Sequence, residues 1–240
     1  MDLNKLQYLP LALPHFSLLA GIFLVLVAWI EVRALRLAFT SVSLNPHVAL
    51  LLLLASLAGS YLNIPIAQLP EQHFISDEEV TFYGMRYAIP VVIDWPGTVI
   101  AVNVGGAVIP GLLSLYLFIK HRLWVRGVIA VLGVAAVCHL LARPVPGVGI
   151  ALPVFVPPLS AAAIGLLLSR WQSATLAYIG GSVGTLVGAD LLNLDKVQGL
   201  RAPVASIGGA GTFDGIFLTG VLAVLIASIF SPPSSPPAPS

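Results

Sequence analysis

The sequence is poor in charged residues and contains a single cysteine. Only 9% of its 240 residues are Asp, Glu, Lys or Arg, whereas a soluble domain carries about 25%. Cys138 has no partner for an intramolecular disulfide, and a metal site built from cysteines alone is excluded. Because the net charge is only +1 and there is no basic run, the charge pattern gives no indication of nucleic-acid binding.

Apolar residues, in contrast, make up 58% of the chain, and the mean hydropathy is +0.99. We therefore predict an all-α membrane protein, a bundle of about seven transmembrane segments, because helices satisfy their own backbone within lipid. The bundle is expected to be a single domain, residues 1–230. The proline- and serine-rich tail, residues 231–240, is expected to be disordered.

Six apolar runs are expected to be membrane helices: residues 16–30, 47–64, 98–119, 127–141, 175–194 and 213–230. Between the fourth and the fifth lie five closely spaced prolines: Pro144, Pro146, Pro153, Pro157 and Pro158. Because proline removes a backbone donor and clashes with the preceding turn, this segment is predicted to be broken or re-entrant. It leads into a helix at 159–169 that is about 16 Å long, too short to span alone.

Residues 67–96 form the longest polar stretch, predicted to be an extramembrane lid with a small β-hairpin, 80–83 and 85–89, around Gly84. Most basic residues fall between spans on one side: Arg33, Arg36, Lys120, Arg122, Arg126 and Arg170. The positive-inside rule places that side in the cytoplasm. We expect a multi-pass membrane protein, with the lipid bilayer as its partner and an oligomeric state left open.

Two aspartates, Asp190 and Asp214, interrupt the last two apolar runs. An ionisable side chain within a membrane segment is a functional-site hypothesis by default. Asp190 is expected in the last turn of its helix and Asp214 in the first turn of the next, so antiparallel packing brings them to similar depth. Two neighbouring carboxylates in a low-dielectric site cannot both ionise, so one activates water while the other donates a proton. The structural alternative is a helix cap at Asp214 and an interfacial residue at Asp190.

Glycines surround both aspartates. Gly180, Gly184 and Gly188 recur at four-residue spacing, which predicts a close helix-packing face. Gly208, Gly209, Gly211 and Thr212 precede the last helix, where backbone amides can bind an anion or a substrate backbone, or simply form a turn. The segment Asn103-Val104-Gly105-Gly106-Ala107 echoes Ser206-Ile207-Gly208-Gly209-Ala210, which makes Asn103 a further candidate for substrate binding.

His139 and Arg143 precede the proline-rich segment and are candidates for supporting the site. A histidine in an apolar helix is more often structural than a ligand. The chain has no His-Glu-x-x-His spacing, Walker loop or haem signature, so we predict neither a metal nor a cofactor.

Four segments carry a family resemblance: Asn103–Ala107, Ala142–Ile150, Gly188–Leu191 and Ser206–Phe217. Over roughly residues 47–230 the chain resembles the prokaryotic multi-pass membrane proteins grouped as domain of unknown function family 1614, a resemblance that implies no established activity. More distantly it resembles intramembrane aspartyl proteases of the presenilin and prepilin-peptidase type, which use two membrane aspartates, one in a Gly-x-Gly-Asp motif. Gly211 precedes Asp214 by three positions, with Phe213 in place of the second glycine.

Three function hypotheses follow. The first is an intramembrane aspartyl protease-like hydrolase acting on a transmembrane peptide, with Asp190 and Asp214 as the water-activating pair. The second is an ion- or proton-coupled transporter or channel in which the same aspartates bind a cation. The third is a membrane assembly protein without chemistry.

Overall fold

The computed structural model describes residues 38, 41–42, 44–82, 85–95, 97–145, 149–197, 202–209 and 215–231. Within these residues the chain is mostly helical, with small sheets at one end. The helices are α1 (Pro46–Gly59), α2 (Val104–Lys120), α3 (Trp124–Leu141), α4 (Val156–Leu168), α5 (Ser173–Val197) and α6 (Gly215–Phe230).

Two of these helices, α3 with 18 residues and α5 with 25, are long and apolar enough to cross a membrane by length and composition. The other helices in the described part of the chain are apolar but only 10–17 residues long. The predicted helical character is confirmed, but the described residues do not show a seven-segment bundle. The first predicted segment, 16–30, and the tail beyond Ser231 lie outside the described residues.

The strands β1 (Asn63–Gln68), β4 (Val99–Asn103) and β7 (Val204–Ile207) form a three-stranded sheet. Strand β4 and the first two residues of β1 lie where membrane helix was predicted, whereas β7 lies in the predicted loop between the last two spans. Strand β4 is central, antiparallel to β1 and parallel to β7. Two predicted spans were therefore wrong at one end. The C-terminal end of span 47–64 was wrong because α1 stops at Gly59, and the N-terminal end of span 98–119 was wrong because α2 begins only at Val104. Short apolar runs such as Val99-Ile100-Ala101-Val102 fit a buried strand as well as a helix.

The predicted hairpin is present and longer than expected. Strands β2 (Gln72–Phe82) and β3 (Met85–Trp95) pair antiparallel over 11 residues each. At about 3.4 Å per residue the ladder is roughly 37 Å long, so most of the polar loop is regular structure.

The proline-rich segment is broken as predicted, by a short antiparallel pair of β5 (Arg143–Val145) and β6 (Gly149–Ala151). The helix after it starts at Val156, three residues before the predicted start. Pro157 and Pro158 occupy its first turn, where a missing N–H costs no hydrogen bond.

Contacts between helices establish their directions. Added Cβ atoms on Gly180 and Gly188 of α5 would meet Ala130 and Ala135 of α3, so these helices run parallel. Helix α6 runs antiparallel to α5, because Gly220 lies against Ser182 while Ser231 contacts Ser173. The predicted glycine packing face is therefore confirmed, with α3 as its partner.

The parallel course of α3 and α5 places both of their N-termini at one end of the molecule. Four of the basic residues predicted to share a side lie there: Lys120, Arg122, Arg126 and Arg170. Arg33 and Arg36 lie outside the described residues. Burial and the neighbouring Lys120 lower the pKa of His121 in the α2–α3 turn, which disfavours a positive charge on that imidazole. The three-stranded sheet lies at the opposite end.

Candidate functional site

Asp190 lies at an irregular point of α5. The helix passes from regular α-helix into two π segments, Gly180–Gly184 and Leu186–Asp190, then a 3₁₀ turn, Leu191–Asn193, before ending at Val197. The prediction that Asp190 occupies the last turn was wrong, because seven more residues continue the helix. Single π turns within α-helices occur frequently at functional sites.

The carboxylate of Asp190 reaches across to the turn after β7. Its Oδ2 accepts a hydrogen bond from the backbone N–H of Gly208 at 2.7 Å. Gly208 has φ +81, a backbone conformation that disfavours side chains with a Cβ. A Cβ there would also lie 2.7 Å from the backbone nitrogen of Ala107. The two similar glycine segments, 103–107 and 206–210, therefore touch at the position where Asp190 binds.

Asn103 organises the first of these segments. Its Oδ1 accepts from the N–H of Gly106 at 2.8 Å, and its Nδ2 donates to the Ser60 carbonyl at 2.8 Å and to Asn63 Oδ1 at 3.1 Å. Ser206 Oγ donates to the same Asn63 oxygen at 2.6 Å. Asn103 is 3% exposed, and its amide joins the end of α1, strand β1 and the start of α2. A role for Asn103 in substrate binding stays a prediction.

Replacing Asn103 with alanine is expected to destabilise the sheet end by about 2–3 kcal/mol, because buried polar groups lose their partners. Asn45→Ala is the matched control, since Asn45 Oδ1 caps α1 by accepting from His47 N–H at an exposed position. That loss should cost only about 1 kcal/mol or less. Thermal unfolding of both variants in detergent measures the difference, and equal effects would contradict the assignment of Asn103 as an organising residue.

The remaining predicted site residues are distributed as follows. Gly209 N–H donates to the Ser206 carbonyl at 3.1 Å and so forms part of the turn. His139 lies near the end of α3, and its Nδ1 is buried with no hydrogen-bond partner among the described residues. Arg143 begins β5 and is exposed. Gly211, Thr212 and Asp214 lie outside the described residues.

No group of three or more His, Cys, Asp or Glu side chains that would hold a metal ion occurs in the part of the chain that the structure describes. Three polar residues were not predicted as site residues: Asn63, Asn193 and Ser206, the last of which is the counterpart of Asn103 in the similar glycine segments. Each is an ordinary polar residue at the end of an apolar run, and its partners are distant in sequence or arise from an irregular turn. No sequence spacing distinguishes them.

The fold and the site define a mostly helical protein with two helices able to cross a membrane and a carboxylate bound to a glycine turn beside a small sheet. The chain belongs to the family described as Protein of unknown function (DUF1614), whose model matches residues 57–226. The match runs from within α1 to within α6 and includes Asn103, Asp190 and Gly208. No curated protein and no solved structure shows significant similarity to the chain.

Proposed function

We propose that this protein is a multi-pass membrane aspartyl hydrolase that cleaves a transmembrane peptide with Asp190 and Asp214. The hydrogen bond from Gly208 N–H to Asp190 Oδ2 carries this proposal. It fixes the first aspartate against the segment that leads, six residues later, to the second. At 3.3–3.6 Å per residue, that segment spans at most about 22 Å.

The described part of the two helices supports a similar depth for the two positions. Ser182 of α5 lies beside Gly220 of α6, and the two helices run antiparallel. Asp190 is eight residues beyond Ser182, at most about 12 Å along the axis because the wider π turns rise less per residue, and Gly215 is five residues before Gly220, about 7.5 Å in the same direction. The first residue of α6 therefore lies within about 5 Å of the depth of Asp190, and Asp214 precedes it directly.

Two carboxylates at this depth provide an acid and a base. One holds a proton because two adjacent charges in a low-dielectric site repel each other. The ionised carboxylate takes a proton from water as the water oxygen attacks the peptide carbonyl carbon. The protonated one donates to the carbonyl oxygen, and collapse of the intermediate transfers a proton to the leaving amine. The reaction therefore consumes only water and the peptide, and both carboxyl groups return to their starting protonation states.

The sheet beside Asp190 offers a place for the substrate. Strand β7 ends at Ile207, one residue before Gly208, and among the described strands it pairs only with β4. An extended peptide can add to such an edge through main-chain hydrogen bonds. A substrate strand on β7 would lie next to the carboxylate that Gly208 holds.

Several features support a membrane setting with more than one crossing. Helix α3 exposes apolar side chains along its length, among them Val125, Leu132 and Leu140, at 72%, 61% and 81%. Trp124 and Trp171 are exposed at the basic end, as expected for interfacial anchors. The basic end then faces the cytoplasm of a prokaryotic cell, and the sheet, the hairpin and Asp190 lie toward the outer side.

The competing function is proton or cation transport through the same aspartates. The two π segments of α5 favour it, because transporters bind ions where membrane helices are irregular. This alternative predicts flux across a sealed membrane and no peptide products.

Purified protein in liposomes tests both functions together. We expect cleavage of a co-reconstituted single-helix reporter peptide, detected by mass spectrometry as two products with termini inside the apolar segment. A pH-sensitive dye trapped in the same vesicles records proton movement. Proton flux with an intact reporter would contradict hydrolysis and favour transport.

A further inference from the structure

Asn193 is a fully buried polar residue three positions after Asp190, with 0% of its surface exposed. Its Nδ2 donates to the carbonyls of Gly188 and Ala189, both at 3.0 Å. Its Oδ1 accepts from Lys196 Nζ at 2.7 Å. The side chain thus uses both ends of its amide.

The two carbonyls that Asn193 binds belong to the residues immediately before Asp190. Helix α5 changes there from π to 3₁₀ geometry, so the spacing between backbone donors and acceptors changes at this point of the helix. The Asn193 amide supplies a side-chain donor to each of the two carbonyls. Because Gly188, Ala189 and Asp190 are consecutive, the amide also determines the direction in which the backbone presents Asp190.

Lys196 determines which way the amide points. With the ammonium group on Oδ1, the Nδ2 group faces the two carbonyls. The reverse orientation would bring an amide oxygen against two carbonyl oxygens and an amide nitrogen against a cation. A lysine one turn away therefore keeps the donor side of Asn193 turned toward the backbone.

We propose that Asn193 is a positioning residue that, oriented by Lys196, holds the Asp190 carboxylate against the Gly208 amide. Its consequence for hydrolysis rests on the proposed function, whereas its consequence for the position of Asp190 does not. Asn193 touches no reacting atom in this role and acts through the turn that carries Asp190.

The test measures the position of Asp190 separately from activity. In the full chain, reaction of Asp190 with a hydrophobic carbodiimide is quantified by mass spectrometry, alongside reporter cleavage. Asn193→Leu keeps the shape and removes both donors. Lys196→Met removes the orienting cation at an exposed position, and Lys196→Arg restores a donor to Asn193 Oδ1.

We expect Asn193→Leu to raise the labelling rate of Asp190 about tenfold and to lower kcat by 10- to 100-fold with KM unchanged, because small misplacements cost that much. Lys196→Met should change the labelling rate and kcat in the same directions but by smaller factors, and Lys196→Arg should behave as wild type. If Asn193→Leu does not fold, the lysine pair decides alone. The proposal would be overturned if Asp190 were labelled at the wild-type rate in Lys196→Met and in any folded Asn193→Leu protein. A further outcome separates the two proposals. If the variants change the labelling rate of Asp190 but neither they nor the wild type cleaves the reporter, hydrolysis is refuted and the positioning role of Asn193 is retained.

Discussion

Gly188→Ala is expected to disrupt the packing of α3 against α5 and to prevent accumulation of folded protein. A Cβ at position 188 would lie 2.3 Å from the carbonyl oxygen of Ala135 and 2.7 Å from its Cα. These are backbone atoms of a helix, so relief requires the two helices to separate. We expect a loss of roughly 3 kcal/mol or more, at the upper end of overpacking costs. The melting temperature of the purified variant measures it.

Gly111→Ala is the matched control for this change. Gly111 is also a helical glycine, and a Cβ there would meet nothing within 4 Å. Alanine is favoured over glycine in helices by about 1 kcal/mol, so the control should be neutral or slightly more stable. Equal destabilisation by both substitutions would show that close packing at Gly188 is not the cause.

Asp190→Asn is expected to lower hydrolysis by at least about 100-fold, and as much as 10⁴-fold, the range supplied by a general acid or base. Asparagine retains an oxygen that can accept the Gly208 N–H, so the turn is preserved while the ionisable group is lost. The variant should therefore fold and keep its melting temperature. Initial rates of reporter cleavage measure the effect.

Asp195→Asn is its control within the same helix. Asp195 lies five residues further along and is exposed, so its neutralisation should leave cleavage within about twofold of wild type. Full activity in Asp190→Asn, or equal losses in the two variants, would remove Asp190 from the reaction.

Elements that depend on local sequence were predicted well. The bounds of α3 and α5 lie within three residues of the predicted runs, because long apolar segments leave little choice of structure in a membrane. The glycine face of α5 followed from a four-residue repeat alone. The hairpin followed from strand residues around a single glycine.

Contacts between distant segments were not predictable in this way. The parallel pairing of β4 with β7 joins residues about 100 positions apart, and the apolar run that forms β4 fits the pattern of a membrane helix equally well. The two glycine segments are similar in sequence, but nothing in either indicates that they touch. The hydrogen bond between Asp190 and Gly208 depends on that contact. It also depends on the change of α5 from π to 3₁₀ geometry, for which this sequence carries no recognisable signature.

The measurement that most directly tests the paired-aspartate site is cross-linking between positions 190 and 214. Asp190→Cys and Asp214→Cys are combined in a Cys138→Ser background and treated with thiol reagents spanning about 5 Å. Ser173→Cys with Ser231→Cys, whose hydroxyls are in contact, is the positive control. We predict that both pairs cross-link. If the control pair reacts and positions 190 and 214 do not, the two aspartates do not form one site.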